Sequence, residues 1–264
     1  MSTARDAMTA TLIRGRQVLA GLFCLVLLGG CVTQSTGGLP DPGTTEERVQ
    51  AQLQLARGYI ETGKNDQARR PLNKALRIDP KSVEAHVLLA LIYEMEGENV
   101  LAEKHFKQAL GYDPRNSQAL NNYGSFLYAR GRYSEAVDRF RVLVKDTNYR
   151  ARPQAYENLG FAELRAGQTA AAKDSFSRAL QLNPTQPRSS LELAQIHYDN
   201  RDLLAAQENY DAFRTQSRQT ARSLCLGMKL AHRSGNTDQL ASYSLALKNL
   251  FPDSVEAREC EVGG

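Results

Sequence analysis

Residues 55–80 read LARGYIETGKNDQARRPLNKALRIDP, and residues 89–114 read LALIYEMEGENVLAEKHFKQALGYDP. The two stretches carry the same residue types at the same offsets, and their closing prolines, Pro80 and Pro114, lie 34 positions apart. Each has Leu-Ala, a Tyr, a central Gly, an Ala, a large apolar residue and an Ala-Leu pair before the proline. A fixed period of this length indicates a protein built from repeats, each of which is a hairpin of two helices.

Two further copies of the pattern follow along the chain. The third copy runs two residues longer and lacks the closing proline, and it contains Tyr123, Gly124, Gly131, Ala136 and Phe140. The fourth contains Leu159, Gly160, Gly167, Ala172, Phe176 and Pro184. This arrangement is the tetratricopeptide-repeat pattern. Its small residues let the two helices of a hairpin approach closely, its central Gly permits the positive φ that ends the first helix, and its Pro ends the second.

Two weaker copies extend the array towards the C-terminus, and in the fifth Arg201 replaces the central Gly. Altered end repeats are expected, because a terminal repeat has a neighbour on one side only. We therefore predict an all-α fold, a right-handed superhelix of six tetratricopeptide-like helical hairpins. A helical-bundle enzyme would not produce a fixed register. The predicted repeats are 49–82, 83–116, 117–152, 153–186, 187–220 and 221–254, and a short C-terminal tail covers 255–264.

The first thirty residues have the features of a secretion signal. Arg14 and Arg16 precede an uncharged run, VLAGLFCLVLLGG, at positions 18–30. This run is too short to cross about 30 Å of hydrocarbon as a helix, but its length is typical of the apolar segment of a signal peptide. A lipoprotein signal peptide is therefore predicted over residues 1–30, with either Met1 or Met8 as the initiator.

The sequence Leu28-Gly29-Gly30-Cys31 ends this run and resembles the bacterial lipobox, in which the Cys thiol receives diacylglycerol. We expect lipidation at Cys31; the alternative is an ordinary cleaved signal followed by an unrelated cysteine. Residues 31–48 are then the lipidated Cys and a flexible tether rich in Thr, Gly and Pro. Because Val32 rather than Asp follows the Cys, the lipoprotein resemblance implies an anchor at the periplasmic face of the outer membrane.

Composition and charge favour a folded protein and exclude a nucleic-acid-binding role. Hydrophobic residues make up 42% of the chain and charged residues 23%. Loss of residues 1–30 removes three Arg and one Asp, which lowers the formal charge from +4 to +2. Binding to nucleic acid requires a dense basic face, and so nearly neutral a chain does not provide one.

Residues that could carry catalysis or hold a metal are scattered along the sequence. No two of the four histidines, His86, His105, His197 and His232, lie three or four positions apart, and none is spaced from a Cys as metal ligands are. Neither a phosphate-binding Gly-rich loop nor a nucleophile elbow is present. We therefore expect no catalytic residue, no metal, no cofactor and no small-molecule substrate. A pair of carboxylates that acts in acid–base catalysis is the open alternative in so Glu-rich a chain.

Two cysteines remain beyond Cys31. Cys225 falls on the first helix of the sixth repeat, and Cys260 follows the last repeat. In an oxidising periplasm two thiols suggest a disulfide, which would stabilise the fold by about 3–4 kcal/mol in the chain-entropy model. Two free, buried thiols are the alternative.

The first helices of such repeats line the concave face in this repeat family, and this face is the predicted protein-binding groove. An apolar strip with a polar border suits a peptide from a partner, although several of these side chains could instead pack between repeats. The predicted groove residues are Leu53, Arg57, Val87, Leu91, Asn121, Ser125, Tyr128, Phe161, Leu164, Leu191, Gln195 and Tyr198, with Ile60 and Met95 on the same face.

The whole chain resembles the PilF/PilW family of type IV pilus biogenesis lipoproteins. The resemblance rests on the lipobox, the tether, the six repeats and the C-terminal cysteines, and especially on residues 119–127 (ALNNYGSFL) and 131–136 (GRYSEA). It implies a lipoprotein that binds secretin subunits and promotes their outer-membrane localisation and multimerisation for pilus assembly. The alternative function is a repeat lipoprotein that scaffolds periplasmic cell-wall enzymes or proteases.

Overall fold

The computed structural model describes residues 43–260, and the helices belong to a compact unit that begins at Thr45. The predicted signal peptide, Cys31 and the tether up to residue 42 lie outside the described residues. Within the described range there are helices and no strand, and no helix is both long and apolar enough to cross a membrane. The helices are α1 (Thr45–Glu61), α2 (Asn65–Ile78), α3 (Val83–Met95), α4 (Asn99–Tyr112), α5 (Ser117–Ala129), α6 (Tyr133–Leu143), α7 (Arg152–Arg165), α8 (Thr169–Leu182), α9 (Pro187–Asp199), α10 (Leu203–Gln216), α11 (Ala221–Arg233), α12 (Thr237–Leu250) and α13 (Val255–Glu259).

Consecutive helices pair into six hairpins, from α1–α2 to α11–α12, and each hairpin packs against the next. The fold is therefore the predicted all-α array of tetratricopeptide-type hairpins. At its start the structure differs from the prediction, because α1 begins at Thr45, inside the segment expected to be tether. Glu46 and Glu47 lie in the first turn of α1. Their negative charges are favourable at a helix N-terminus, which explains why the helix extends this far.

The predicted C-terminal tail also contains a helix. The Ser254 side chain accepts a hydrogen bond from the backbone N–H of Ala257 at 3.0 Å and so caps α13. This helix contacts both α11 and α12. Cys260 follows it and forms a disulfide with Cys225 of α11, with the two Cα atoms 5.8 Å apart. The chain up to Cys260 is thus attached to the last hairpin.

The turn inside each hairpin requires a left-handed residue. In five repeats this residue is a Gly with φ between 71° and 79°, and these are Gly63, Gly97, Gly131, Gly167 and Gly235. Arg201 occupies the same position in the fifth repeat and adopts φ 62°, a conformation that L-residues with a side chain rarely adopt. The fifth hairpin nevertheless closes with the same backbone hydrogen bonds as the others, from the N–H of Arg201 to the Tyr198 carbonyl and from the N–H of Asp202 to the His197 carbonyl.

Close contact between a small and a large residue fixes the distance between the two helices of a hairpin. A Cβ atom placed on Gly124 of α5 would lie 2.7 Å from Phe140 of α6, and one on Gly160 of α7 would lie 2.7 Å from Phe176 of α8. Both Phe rings are fully buried. The small residues predicted from the repeat pattern therefore permit the core aromatics to reach the first helix.

Candidate functional site

First helices of neighbouring repeats lie side by side along one face of the array. Helix α1 contacts α3, α3 contacts α5, α5 contacts α7, and α9 contacts α11. We call the face formed by these first helices the inner face. It is the face on which the sequence places the binding groove.

Three residues predicted to line the groove are buried and are therefore not available to a partner. Leu53 and Val87 are 1% exposed, and Leu191 is 9% exposed. They occupy the same position in three different repeats, at the contact between one first helix and the next. Each belongs to an apolar cluster that includes residues of the following hairpin. The prediction that these three residues bind a partner is therefore wrong, and their physical role is to hold the repeats together.

Residues from three consecutive repeats surround a cavity of about 170 Å³ on the inner face. We call it the central pocket. Three of the predicted groove residues, Ser125, Tyr128 and Phe161, contribute to its wall. Its full lining is Ser125, Tyr128, Phe140, Asn158, Phe161 and Arg188.

Phe161 connects the central pocket with the core. Its ring packs edge-on against Phe176, with 5.1 Å between the ring centroids, so one side of Phe161 is buried in its own hairpin. The guanidinium of Arg188 lies over the ring, 4.3 Å from its centroid. This arrangement is a cation–π contact, which stabilises the ring at the pocket wall and places a positive charge at the pocket mouth.

Polar groups at the edge of the central pocket are held by neighbouring repeats. The Asn158 amide donates a hydrogen bond to Asn121 Oδ1 at 3.4 Å, which links α7 to α5. Arg188 also pairs with the carboxylate of Glu157 at 3.3 Å, while its own side chain stays 64% exposed. The amides can exchange hydrogen bonds with a peptide backbone, and the guanidinium can donate hydrogen bonds to a carboxylate. The pocket is large enough for one apolar side chain of a bound peptide.

The remaining predicted groove residues lie on the inner face but outside the central pocket. Arg57 forms an ion pair with Glu84 of the next first helix. Gln195 donates a hydrogen bond to Asp199 at 2.8 Å. The others are half-buried side chains that pack at the edge of an apolar cluster, namely Ile60, Leu91, Leu164 and Tyr198, and an exposed side chain, Met95.

A second candidate surface lies at the open N-terminal end of the array and was not predicted from the sequence. Leu55 is 49% exposed, whereas Leu89 at the equivalent position of the second repeat is 1% exposed. A preceding hairpin covers Leu89, and no described hairpin precedes α1. The surface encloses about 510 Å³, and we call it the N-terminal strip; its residues are Ala51, Gln54, Leu55, Gly58, Tyr59, Thr62 and Lys64. The sequence contained the information needed to predict this surface. Each repeat stacks on the one before it, and the first predicted repeat, 49–82, has no predicted repeat before it.

The fold brings together two histidines that the sequence separates by nineteen positions. His86 Nδ1 lies 2.9 Å from His105 Nδ1, and His86 Nε2 lies 3.2 Å from the carbonyl oxygen of Pro80. Because a carbonyl only accepts, Nε2 of His86 carries the proton and its Nδ1 accepts from His105. Burial lowers the pKa of His86, and burial together with His86 lowers the pKa of His105 to about 4. Both rings are therefore neutral at pH 7.

Three buried carboxylates also lie in the second half of the array, and each is neutralised by an Arg. Glu157 meets Arg188, Glu163 accepts from Arg141 at 2.9 Å, and Glu192 meets Arg222. Ser175 and Ser189 donate further bonds to Glu163 and Glu157. All three pairs connect adjacent repeats, which is a structural use of these charges. Among the described residues no three His, Cys, Asp or Glu side chains are grouped as a metal site would require.

Comparison with known proteins agrees with the fold and shows which protein family the chain is similar to. Tetratricopeptide-repeat family models match residues 56–97, 101–156 and 153–186. The chain is 42% identical to the type IV pilus assembly protein PilF of Pseudomonas aeruginosa, over 92% of this chain and 97% of that protein.

Solved structures lead to the same group of proteins. The structure of Pseudomonas aeruginosa PilF superposes with a TM-score of 0.74 at 43% identity, covering 81% of this chain and 97% of that one. PilW, described as a widely conserved type IV pilus biogenesis factor, superposes with a TM-score of 0.65 at 30% identity, covering 80% and 96%. On this evidence the chain belongs to the PilF/PilW family of tetratricopeptide-repeat proteins of type IV pilus biogenesis.

Proposed function

We propose that this protein is an outer-membrane lipoprotein that binds secretin subunits and promotes their localisation and multimerisation in the outer membrane for type IV pilus assembly. The observation that carries the proposal is the similarity to PilF, which extends over nearly the whole of both chains. A tetratricopeptide array that offers two apolar surfaces supports a role in protein binding rather than in catalysis.

In this proposal the two ends of the chain have separate tasks. Lipid on Cys31 holds the protein at the periplasmic face of the outer membrane. The chain from Cys31 to Thr44 can extend to at most about 45–50 Å, so the repeats can reach a partner that is not itself next to the lipid. Replacement of Cys31 by Ser should leave a folded protein that is not acylated and does not fractionate with the membrane.

The repeats provide the protein-binding surfaces. The N-terminal strip is an apolar face of helix-packing geometry, so it suits a helix of the secretin subunit that takes the place of a preceding hairpin. The central pocket suits a single apolar side chain next to backbone groups and a carboxylate. Binding at two separated surfaces of one rigid array would orient a subunit and also raise its affinity.

Affinity capture from an envelope extract tests the proposal and separates it from the alternative. The bait is the mature protein, with two variants as controls: Leu55→Glu, which places a charge in the N-terminal strip, and Ser125→Glu, which fills the mouth of the central pocket. We expect the wild-type protein to capture secretin and at least one variant to lose it. Capture of cell-wall hydrolases or proteases without secretin would favour the scaffold function instead.

A further inference from the structure

A cleft of about 790 Å³ is formed by α6, by the turn that follows α6, and by the turn that joins α4 to α5. We call it the α6 cleft. Its lining combines three cationic side chains with two apolar residues and one carboxylate, which are Arg115, Arg139, Lys145, Pro114, Val142 and Asp146. None of these residues contributes to the central pocket or to the N-terminal strip.

Arg139 carries a buried donor that has no acceptor. Its Nε atom is inaccessible to solvent and makes no hydrogen bond within the described part of the chain. Polar residues at the equivalent position of other repeats all have a partner: His105 contacts His86, Ser175 donates to Glu163, and Asn209 donates to the Ala205 carbonyl at 2.8 Å. An unsatisfied buried N–H of a charged group is costly, so a bound ligand that allowed Arg139 to reach an acceptor would be favoured.

The charges around Arg139 are not balanced by the cleft itself. The side chains of Arg115 and Lys145 form no ion pair with any described residue. The carboxylate of Asp146 is engaged elsewhere, because it accepts from Ser117 Oγ at 2.6 Å and from the backbone N–H of Asn148 at 2.9 Å. Three cations therefore face one carboxylate that already accepts two hydrogen bonds, and the cleft has a net positive charge.

We propose that the α6 cleft binds an acidic peptide segment of a protein partner. Guanidinium groups match the geometry of carboxylates, so the terminal N–H groups of the cleft arginines can donate to acidic side chains of the peptide, and a rotation of the Arg139 side chain on binding would also bring its Nε–H to an acceptor. Pro114 and the 37% exposed Val142 supply apolar surface for the side chains between acidic residues. A single small anion would occupy only a small part of the cleft, whereas several residues of an extended peptide would fill it. This site lies outside both surfaces of the proposed function and does not depend on the secretin assignment.

The test uses the mature protein and a fluorescein-labelled synthetic peptide of about eight alternating Glu and Val residues, titrated by fluorescence anisotropy at low salt. We expect Arg139→Gln to weaken binding about tenfold, and Arg115→Gln to weaken it by a smaller factor, because Arg139 combines the buried donor with the charge. The matched control is Arg70→Gln, an exposed Arg of α2 whose loss changes the net charge equally. Thermal melts establish that each variant folds; if Arg139→Gln does not, Arg115→Gln alone decides.

Equal affinities of the Arg139 and Arg70 variants would show nonspecific charge attraction and would overturn the proposal, as would the absence of peptide binding to the wild-type protein. Vesicles of phosphatidylglycerol serve as a second probe. Arg139-dependent binding of these vesicles without binding of the peptide would assign the cleft to an anionic lipid and would also overturn it.

Discussion

The ring of Phe140 occupies the space that a side chain on Gly124 would need, since a Cβ atom there would lie 2.7 Å from the ring. This contact joins the two helices of the third hairpin. We therefore expect Gly124→Ala to force the ring or the helices apart and to lower the free energy of unfolding by about 1–3 kcal/mol. Chemical denaturation measures the change. As a control, Gly111→Ala on α4 has open space around it and should instead add about 0.5–1 kcal/mol. Equal effects of the two substitutions would contradict the packing argument.

Arg201 adopts a left-handed conformation at φ 62°, at the turn position where the other five repeats have Gly. Arg201→Gly should relieve this backbone strain and raise the free energy of unfolding by about 0.5–1 kcal/mol, after the greater flexibility of Gly in the unfolded chain is allowed for. Gly167→Ala makes the opposite change at φ 77° and should destabilise the protein. A loss of stability in Arg201→Gly would mean that the Arg side chain contributes contacts that outweigh the strain.

Leu55 and Leu89 occupy equivalent positions but differ in what covers them. Leu89→Ser should cost about 3 kcal/mol or more, because it opens a cavity in a packed core and buries a hydroxyl. Leu55→Ser should change stability by less than about 1 kcal/mol, since the residue is half exposed. Urea denaturation of both variants measures the difference. Leu55→Ser should nevertheless weaken secretin binding, and an unchanged affinity would remove the N-terminal strip from the binding surface.

The paired histidines predict a stability loss at mildly acidic pH. An unfolded chain protonates His105 near pH 6.5, whereas in the folded protein its pKa is about 4. As the pH falls from 6.5 to 4 the unfolded state therefore binds a proton that the folded state does not, and the free energy of unfolding decreases. Glu103, whose pKa is lowered to about 2 chiefly by the hydrogen bond from Arg132, loses its contribution only below its unfolded pKa of 4.5.

The window between pH 6.5 and 5 thus isolates the histidines. Melting temperatures of the wild-type protein and of His105→Gln, measured across this window, should show a steeper decline in the wild type. Exposed His232 supplies the control, because His232→Gln should keep the wild-type slope. Parallel curves for the wild type and His105→Gln would contradict the buried neutral pair.

Periodicity was sufficient to predict the hairpins, because each repeat needs the same small, large and turn residues for the same local reasons. The inner-face site was predicted only in part. Repeat position alone assigned Leu53, Val87 and Leu191 to the groove, but whether such a side chain is covered depends on the distance between neighbouring first helices. The same limit applied to Phe161, which was predicted to line the groove and lies in the wall of the central pocket, but with one side of its ring packed on Phe176.

Contacts between residues far apart in the sequence could not be predicted from residue spacing. His86 and His105 meet because two helices of one hairpin lie side by side, and Arg188 reaches Phe161 across a repeat boundary. Neither pair has a recognisable sequence interval. The N-terminal strip follows from a different kind of reasoning. The surface that Leu89 buries against the preceding hairpin has no described hairpin against it at Leu55, which is 49% exposed.

The state of the secretin in cells that lack this protein provides the most direct test of the proposed function. Outer-membrane fractions from a deletion strain should contain no heat-resistant secretin multimers, and the cells should show no twitching motility. The wild-type gene should restore both, and a gene with Cys31→Ser should restore neither fully. Normal amounts of secretin multimer in the outer membrane of the deletion strain would contradict the proposed function.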